Sequence, residues 1–260
     1  MSLRAVILAG QRPGPDALCE AAGVDFKADI RICGVAMLDR VASALSEAGV
    51  PKPYALSGYR APREGFDLVD GGIGPADSAL LSAEDGPFPL ILTTCDHALL
   101  TADMVRDFVA GAQTSGADFA VGLASRERIQ ADYPDTKRTY MMFNDMALSG
   151  CNLFYVANAD GLAAIRFWRD AQHLRKKPVR LALKIGPMIA LRYVLGRLSV
   201  DGAFDYASRR IGARVAPVLL DHAEAAIDVD SPADLALVQE IVAARCSGAD
   251  EAEPSSGGSE

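Results

Sequence analysis

Short apolar runs alternate with segments of helical periodicity along the first half of the chain. The apolar runs predict strands at residues 5–9, 54–57, 88–94 and 119–123, and the segments between them predict helices at 37–48, 78–84 and 102–115. Thr101 is the expected N-cap of the last of these helices. Strands that alternate with helices indicate a parallel sheet with crossover helices. The pattern therefore predicts an α/β fold: a single Rossmann-like, mostly parallel sheet with flanking helices.

The second half of the chain is less regular. It predicts strands at 139–143, 152–156 and 214–219, and helices at 159–174, 203–211 and 233–245. Residues 247–260 are acidic and rich in glycine and serine, a composition typical of disorder. Because no repeat or linker divides the preceding sequence, we expect one domain over residues 1–246, followed by a disordered acidic tail over 247–260.

Composition limits the classes of partner and compartment. Half of the 260 residues are hydrophobic, and the net charge of -8 argues against a nucleic-acid partner. The five cysteines have no Cys-x-x-Cys spacing, which favours buried thiols in a reducing cytoplasm over disulfides or a zinc site. The N-terminus runs directly into the first strand without a signal-peptide pattern, so we expect a cytoplasmic protein.

One basic apolar segment, residues 179–198, complicates this picture. It contains Arg180, Lys184, Arg192 and Arg197, with Gly186-Pro187 in the middle, so a membrane-spanning helix is not expected. The pattern favours packed helices, with residues 181, 185, 189 and 195 buried. The alternative is peripheral attachment to an anionic membrane surface.

Carboxylates follow two apolar segments at positions where chemistry is expected. Asp96 follows the buried run at 90–95, and a carboxylate at the carboxyl end of a parallel strand can hold Mg²⁺ against a triphosphate. Asp228 and Asp230 alternate in an extended segment and therefore share a side. The alternative for Asp96 is a helix cap or turn residue, and the alternative for the second segment is that Asp230 or Ser231 caps the final helix.

Two glycine-rich segments are candidate nucleotide contacts. The first strand ends at Gly10 and opens into a loop that exposes backbone N–H groups, which can hold phosphates, and Lys27 follows as a point charge. The second segment, Gly71-Gly72-Ile73-Gly74-Pro75-Ala76-Asp77-Ser78, allows close backbone approach to a flat ring. Ser78 is a candidate helix N-cap and base contact. A surface loop is the alternative for this second segment.

Three stretches resemble the nucleotidyltransferases of the glycosyltransferase-A-like fold, in particular the molybdenum-cofactor guanylyltransferase-like group (MobA-like NTP transferases), over residues 1 to 244. Leu8-Ala9-Gly10, Arg12 and Lys27 are similar to the family's Leu-Ala-Gly-Gly-x-(Gly/Ser)-x-Arg and Pro-Lys. Cys95-Asp96-His97-Ala98-Leu99 is similar to its Asp-x-Pro-Leu motif, and Asp228-Val229-Asp230-Ser231-Pro232 to its Asp-(Ile/Val)-(Asp/Asn)-(Thr/Ser)-Pro motif. The sequence departs from the pattern at Gln11, Phe26 and Ala36.

The resemblance implies a Mg²⁺-dependent reaction in which an acceptor phosphate attacks the α-phosphorus of an NTP and pyrophosphate leaves. The implied roles are as follows: phosphate-stabilising, Lys27 and Arg12; nucleotide-binding, Leu8, Ala9, Gly10, Gly72, Gly74 and Ser78; metal-binding, Asp96 and Asp230; acceptor-binding, Lys137, Arg138 and Asn152. A solvated turn is the alternative for Lys137 and Arg138. The implied partners are an NTP and a phosphorylated small molecule. Two other classes stay open: a glycosyltransferase that uses a sugar nucleotide, and a non-catalytic nucleotide-binding protein.

Overall fold

A computed structural model describes residues 2–11, 14–84, 86–171, 174, 180, 183–184 and 186–250. Its strands are β1 Arg4–Leu8, β2 Arg31–Ile32, β3 Val35–Ala36, β4 Tyr54–Ser57, β5 Phe66–Val69, β6 Leu90–Thr94, β7 Phe119–Ser125, β8 Met141–Met142, β9 Ala147–Val156 and β10 Val215–Leu219. Its helices are α1 Ala17–Ala22, α2 Met37–Glu47, α3 Pro75–Glu84, α4 Ala102–Ser115, α5 Arg126–Asp132, α6 Leu162–Ala171, α7 Pro187–Val194, α8 Val200–Ile211 and α9 Pro232–Asp250.

The main sheet is mixed but mostly parallel, and its strand order is β10-β7-β9-β6-β1-β4-β5, with β8 paired to β9. Strand β1 lies at the centre, parallel to both β4 and β6. Strand β9 runs antiparallel between β6 and β7. The predicted α/β class and the mostly parallel sheet are confirmed.

Helices cover both faces of the sheet because the buried strands are apolar on both sides. Successive residues of β1 alternate: Ala5 and Ile7 pack in the core beneath α2 and α4, whereas Val6 and Leu8 pack in the core beneath α3 and α6. A third core joins residues near the first loop to α9 through Ile227 and Val229. The carboxyl ends of β1 and β6 therefore lie at one edge, between the two helical layers.

The sequence predicted most elements and missed several short ones. Helix α4 and strand β4 have the predicted bounds, and the Thr101 hydroxyl caps α4 by accepting from the Met104 N–H at 3.3 Å. Helices α1 and α5 and strands β2, β3 and β5 were not predicted. Short elements such as these depend on packing more than on a periodic pattern.

The basic apolar segment is described only in part, and its burial differs from the prediction. Ile189 is buried, as predicted, beside Leu198 and Tyr206. Leu195 was predicted buried, but it is 55% exposed because it lies on the outer side of the α7 terminus. Residues 181 and 185 lie outside the described residues, as do 251–260 of the predicted tail. Residues 247–250, which the composition placed in that tail, instead continue α9.

Candidate active site

A cavity of about 440 Å³ opens at the carboxyl ends of β1 and β6. Ligand sites of open α/β sheets lie at this edge of the strands. The lining residues from the predicted site are Leu8, Gly10, Lys27, Gly72, Gly74, Ser78, Asp96, Asn152 and Asp230. The structure therefore brings together groups that are far apart in sequence.

The Lys27 ammonium lies between two predicted metal ligands. Its Nζ is 2.8 Å from Asp96 Oδ2 and 3.0 Å from Asp230 Oδ1. Burial disfavours the Lys27 ammonium, but the Asp96 and Asp230 carboxylates outweigh burial and raise its pKa above the ordinary value of 10.5. Lys27 is therefore cationic at physiological pH and holds the two carboxylates together.

A short 3-10 turn, Lys27–Asp29, fixes the position of Lys27. Asp29 Oδ1 accepts hydrogen bonds from the Tyr59 hydroxyl at 3.0 Å and from Arg63 Nη1 at 3.1 Å. The Phe26 ring packs on the Tyr59 ring at 4.8 Å between centroids. Phe26 stands where the resembling family has proline, so the turn is held here by aromatic contact and an ion pair.

Backbone pairing brings the two carboxylate segments side by side. The Val229 N–H donates to the Asp96 carbonyl at 3.1 Å, which ties the segment before α9 to the end of β6. Ser231, not Asp230, caps α9, since the Ser231 Oγ accepts from the Asp234 N–H at 3.3 Å. The Asp230 side chain is thus placed toward Lys27 rather than toward the helix.

A supporting contact lies behind this segment, at the 3-10 turn Ala223–Ala226. Glu224 Oε1 accepts from the Tyr133 hydroxyl at 2.8 Å and from Arg245 Nη2 at 3.0 Å. Burial acts to raise the pKa of Glu224, but the Tyr133 hydrogen bond and Arg245 prevail and lower it below 4.5. Glu224 therefore anchors the turn that leads into Asp228 as a carboxylate.

Asp228 lies deeper in the cavity wall, where it meets two of the predicted acceptor residues. Arg138 Nη1 is 2.5 Å from Asp228 Oδ1, and Asn152 Nδ2 donates to Asp228 Oδ2 at 3.0 Å. Burial, reinforced by Asp96 and Asp230, raises the pKa of Asp228 above 3.8. Sequence reasoning noted Asp228 beside Asp230 but gave it no role.

The backbone of β9 explains why Asn152 reaches the cavity. The pairing of β9 with β7 is irregular between Val121 and Leu123, and Asn152 has φ 51°. Asparagine tolerates this left-handed conformation better than most residues. Bulges of this kind often re-aim side chains next to active sites.

The other two predicted acceptor residues, Arg138 and Lys137, do not line the cavity as Asn152 does. The Arg138 guanidinium is only 8% exposed, and it also contacts Asp234 Oδ1 at 3.0 Å. Its charge is therefore shared between two carboxylates. Lys137 is exposed and does not line the cavity. Arg12 lies outside the described residues.

Glycines let three backbone segments approach closely at the cavity edge. A Cβ on Gly58, whose φ is +82°, would lie 2.6 Å from Gly10 Cα, and a Cβ on Gly71 would lie 2.9 Å from Gly58 Cα. Nothing lies within 4 Å of a Cβ built on Gly10, which faces open space. Sequence reasoning missed Gly58, although it directly follows the predicted strand at 54–57.

The second glycine segment is organised by Ser78. Its Oγ accepts a hydrogen bond from the Gly72 N–H at 2.9 Å. The prediction that Ser78 is the N-cap of α3 is wrong, since α3 begins at Pro75 and Ser78 lies in its first turn. Proline is favoured at the first helical position because its missing N–H would have no partner there.

The sequence did not predict the aromatic side of the cavity. Phe154 and Trp168 line the cavity, and their rings stack at 5.0 Å between centroids. Phe154 lies on β9 and Trp168 on α6, so only the packing of α6 on the sheet brings them together. Gln11 lines the cavity as well, and its Nε2 lies 3.4 Å from Cys19 Sγ.

The carboxylate pair fits a magnesium ion that is completed by a ligand. Among the described residues, no group of three or more histidine, cysteine, aspartate or glutamate side chains could hold a metal ion. Mg²⁺, however, is usually held by one or two carboxylates together with substrate phosphates and water. Asp96 Oδ1 is buried with no hydrogen-bond partner among the described residues, which is the arrangement expected of an atom reserved for a ligand.

His97 and Cys95, on either side of Asp96, supply neither an imidazolium cation nor a thiolate at neutral pH. Burial lowers the pKa of His97 to about 4, so this imidazole is neutral. Burial also raises the pKa of the Cys95 thiol. Among the described residues that line the cavity, the charged groups are Lys27 and the carboxylates, an arrangement suited to electrostatic stabilisation and positioning.

Comparisons with known proteins agree with this geometry. The family model of the MobA-like NTP transferase domain matches residues 5–180. None of the curated proteins compared with the chain matches it.

None of the helices in the described part of the chain has the length and apolar character needed to span a bilayer.

Solved structures of similar fold come from nucleotidyltransferases. A structure described as a hypothetical transferase from Thermus thermophilus is 27% identical, with a TM-score of 0.76, over 90% of this chain and 100% of that one. CMP:2-keto-3-deoxy-manno-octonic acid synthetase in complex with CTP is 14% identical, with a TM-score of 0.57, over 94% and 100%.

The fold is also that of 2-C-methyl-D-erythritol 4-phosphate cytidylyltransferase from Thermus thermophilus, which is 15% identical, with a TM-score of 0.52, over 94% of this chain and 100% of that one. At such identities the last two structures establish the fold, and the family model establishes membership. The chain belongs to the MobA-like NTP transferase domain family and is a nucleotidyltransferase.

Proposed function

We propose that this enzyme transfers a nucleoside monophosphate from an NTP to the phosphate of a small-molecule acceptor, with Mg²⁺ as cofactor and pyrophosphate as the second product. The observation that carries the proposal is the convergence of Lys27, Asp96 and Asp230 in a cavity bordered by two glycine-rich segments. A lysine ammonium and two carboxylates that could hold Mg²⁺, at the end of a parallel strand, suit a triphosphate better than a neutral ligand.

On the donor side, the base lies against the segment from Gly72 to Ser78, and the triphosphate follows the loop that begins at Gly10. A Cβ on Gly10 would meet nothing within 4 Å, so the open space at Gly10 leaves room for phosphates against the backbone. Lys27 places its ammonium where negative charge develops during transfer, and Arg12 would add a second cation in the same loop.

On the acceptor side, Asn152 lines the cavity and orients the acceptor, and Arg138 supports it by holding Asp228, the carboxylate to which Asn152 donates. An oxygen of the acceptor phosphate attacks the α-phosphorus. The new P–O bond forms as the bond from the α-phosphorus to the bridging oxygen breaks, and pyrophosphate leaves with that electron pair. This chain's residues act by positioning and charge neutralisation, with no covalent enzyme intermediate.

Asp96 and Asp230 are the residues that would hold Mg²⁺. The ion, when bound, supplies positive charge that polarises the α-phosphate. Lys27 already bridges these carboxylates, so its ammonium would have to give up these contacts for Asp96 and Asp230 to hold a metal ion. Lys27 therefore keeps the two carboxylates together before the substrate arrives.

The test is a pyrophosphate assay with each NTP in turn, Mg²⁺ and a panel of phosphorylated acceptors, with product identity read by mass spectrometry. Asp96→Asn should abolish turnover, whereas Asp103→Asn, an exposed carboxylate paired with Arg106 on α4, should not change it. Release of a nucleoside diphosphate from a sugar nucleotide would instead establish a glycosyltransferase. Nucleotide binding without turnover across the panel would establish a non-catalytic protein.

A further inference from the structure

Helix α7 exposes an apolar face that no other described helix matches in its concentration of large side chains. Met188, Leu191, Val194 and Leu195 are between 52% and 62% exposed. They lie within an arc on one side of the helix, since residues three, four and seven apart share a face. We call this surface the α7 face. Isolated exposed apolar residues are ordinary, but a contiguous cluster marks an interaction surface.

The opposite side of α7 is packed onto the protein. Ile189 and Ala190 are buried beside Leu198, and the Tyr193 hydroxyl accepts a hydrogen bond from the Met142 N–H at 3.1 Å. The Phe143 ring meets the Tyr193 ring edge-on at 6.2 Å between centroids. Because this inner side anchors the helix, the α7 face points outward as part of the folded enzyme.

The sequence that contains α7 carries charge opposite in sign to that of the whole chain. Between Ala171 and Val200 the sequence has seven arginines and lysines and no aspartate or glutamate, although the net charge of the protein is -8. Arg192 and Arg197 are exposed next to the α7 face. Apolar residues flanked by basic residues are the pattern of a helix that lies in the interface of an anionic bilayer.

The same charge argues against a second copy of this chain as the occupant. In a two-fold dimer the face would meet itself, so each cluster of basic residues would approach its own symmetry mate. Like charges at an interface oppose association. An anionic lipid surface satisfies both the apolar residues and the arginines.

From these observations we infer that the α7 face attaches the enzyme peripherally to an anionic membrane surface, with the apolar side chains in the headgroup region and the arginines on lipid phosphates. This inference rests on the exposure and charge of α7 and does not depend on the reaction proposed above.

The experiment is sedimentation of the full chain with vesicles of phosphatidylcholine alone and of phosphatidylcholine with phosphatidylserine. We expect binding to the anionic vesicles at low salt and release as salt screens the arginines. Binding to neutral vesicles alone, or no binding to either, overturns the inference.

Matched variants locate the contact. Leu191→Glu should lower the partition coefficient on anionic vesicles at least tenfold, whereas Leu81→Glu, at a 48% exposed leucine on α3, should leave it within twofold. Arg192→Glu should weaken binding and reduce its salt dependence. Circular dichroism confirms that each variant is folded. Equal losses in Leu191→Glu and Leu81→Glu would refute the assignment, as would sedimentation-equilibrium evidence of a dimer that Leu191→Glu dissociates.

Discussion

Replacing Lys27 with alanine removes an ammonium group that contacts both Asp96 and Asp230. The two carboxylates then face each other, with Asp228 nearby, without the cation that holds them together. If Lys27 stabilises the triphosphate during transfer, kcat/KM should fall about 10²-fold or more, which corresponds to about 2.7 kcal/mol of transition-state stabilisation.

The stability effect follows from burial. The Lys27 and Asp96 side chains are 18% and 17% exposed, so the alanine variant leaves a mostly buried carboxylate without its ammonium partner. Leaving such a group unpaired costs about 1–3 kcal/mol. We expect about 2 kcal/mol, because the more exposed Asp230 can relax toward water.

Metal affinity should change in the opposite direction, because the Lys27→Ala variant should bind a divalent cation more tightly than the wild type. In the wild-type enzyme a divalent cation would have to displace the Lys27 ammonium from Asp96 and Asp230, whereas in the alanine variant it has no ammonium to displace. Mn²⁺ binding without nucleotide, measured by electron paramagnetic resonance, should therefore tighten about tenfold, or about 1.4 kcal/mol. Mg²⁺ should also raise the melting temperature of the variant more than that of the wild type.

Two control variants separate charge from packing. Lys27→Met keeps most of the aliphatic stem and should behave like the alanine variant in metal binding. Lys52→Ala, at an exposed lysine outside the cavity, should change neither activity nor Mn²⁺ affinity. A loss of kcat/KM below threefold together with unchanged Mn²⁺ affinity would show that Lys27 is only a structural charge.

Three further predictions test the surrounding site. Asp96→Asn should abolish turnover yet change the free energy of unfolding by only about 1 kcal/mol, because Lys27 keeps Asp230; retained activity would remove Asp96 from the mechanism. Glu224→Gln should cost about 1.5 kcal/mol at pH 7, because the pKa of Glu224 is lower in the folded protein than in the unfolded chain. This stabilisation is full above the pKa of the unfolded chain and is lost as pH falls through the pKa of the folded protein, so denaturation curves of variant and wild type should converge in acid. A constant difference at all pH would contradict this. Gly58→Ala should cost about 2–4 kcal/mol and impair nucleotide binding, whereas Gly49→Ala, with a similar φ of +85° but open space around its Cβ, should cost only about 1–2 kcal/mol; equal effects in chemical denaturation would show that the contact with Gly10 is unimportant.

The sequence by itself determined the fold class and the chemical types in the site. Strand β4 and helix α4 could be predicted because their apolar periodicity and the Thr101 cap are local signals. Asp96 could be singled out because a carboxylate after a buried run lies at the edge where α/β proteins bind ligands. Nine of the residues that these patterns and the resemblance predict for the site line the cavity.

Only the tertiary structure decided how those groups meet. Lys27 lies 69 residues from Asp96 and 203 from Asp230 in sequence, so no local pattern predicts that its ammonium bridges both. The pairing of Asn152 with Asp228 likewise depends on the irregular register of β9, which arises only once β9 is placed between β6 and β7.

The same reason explains the exposed residue at the end of α7. The spacing of apolar residues cannot show which of two apolar sides of a short helix is buried. Leu195 was therefore predicted to be buried, although it is exposed. The contacts of Ile189 and Tyr193 with the hairpin before β9 set the rotation of the helix. The local sequence determines which residues share a face of a helix, but long-range packing determines which face is buried.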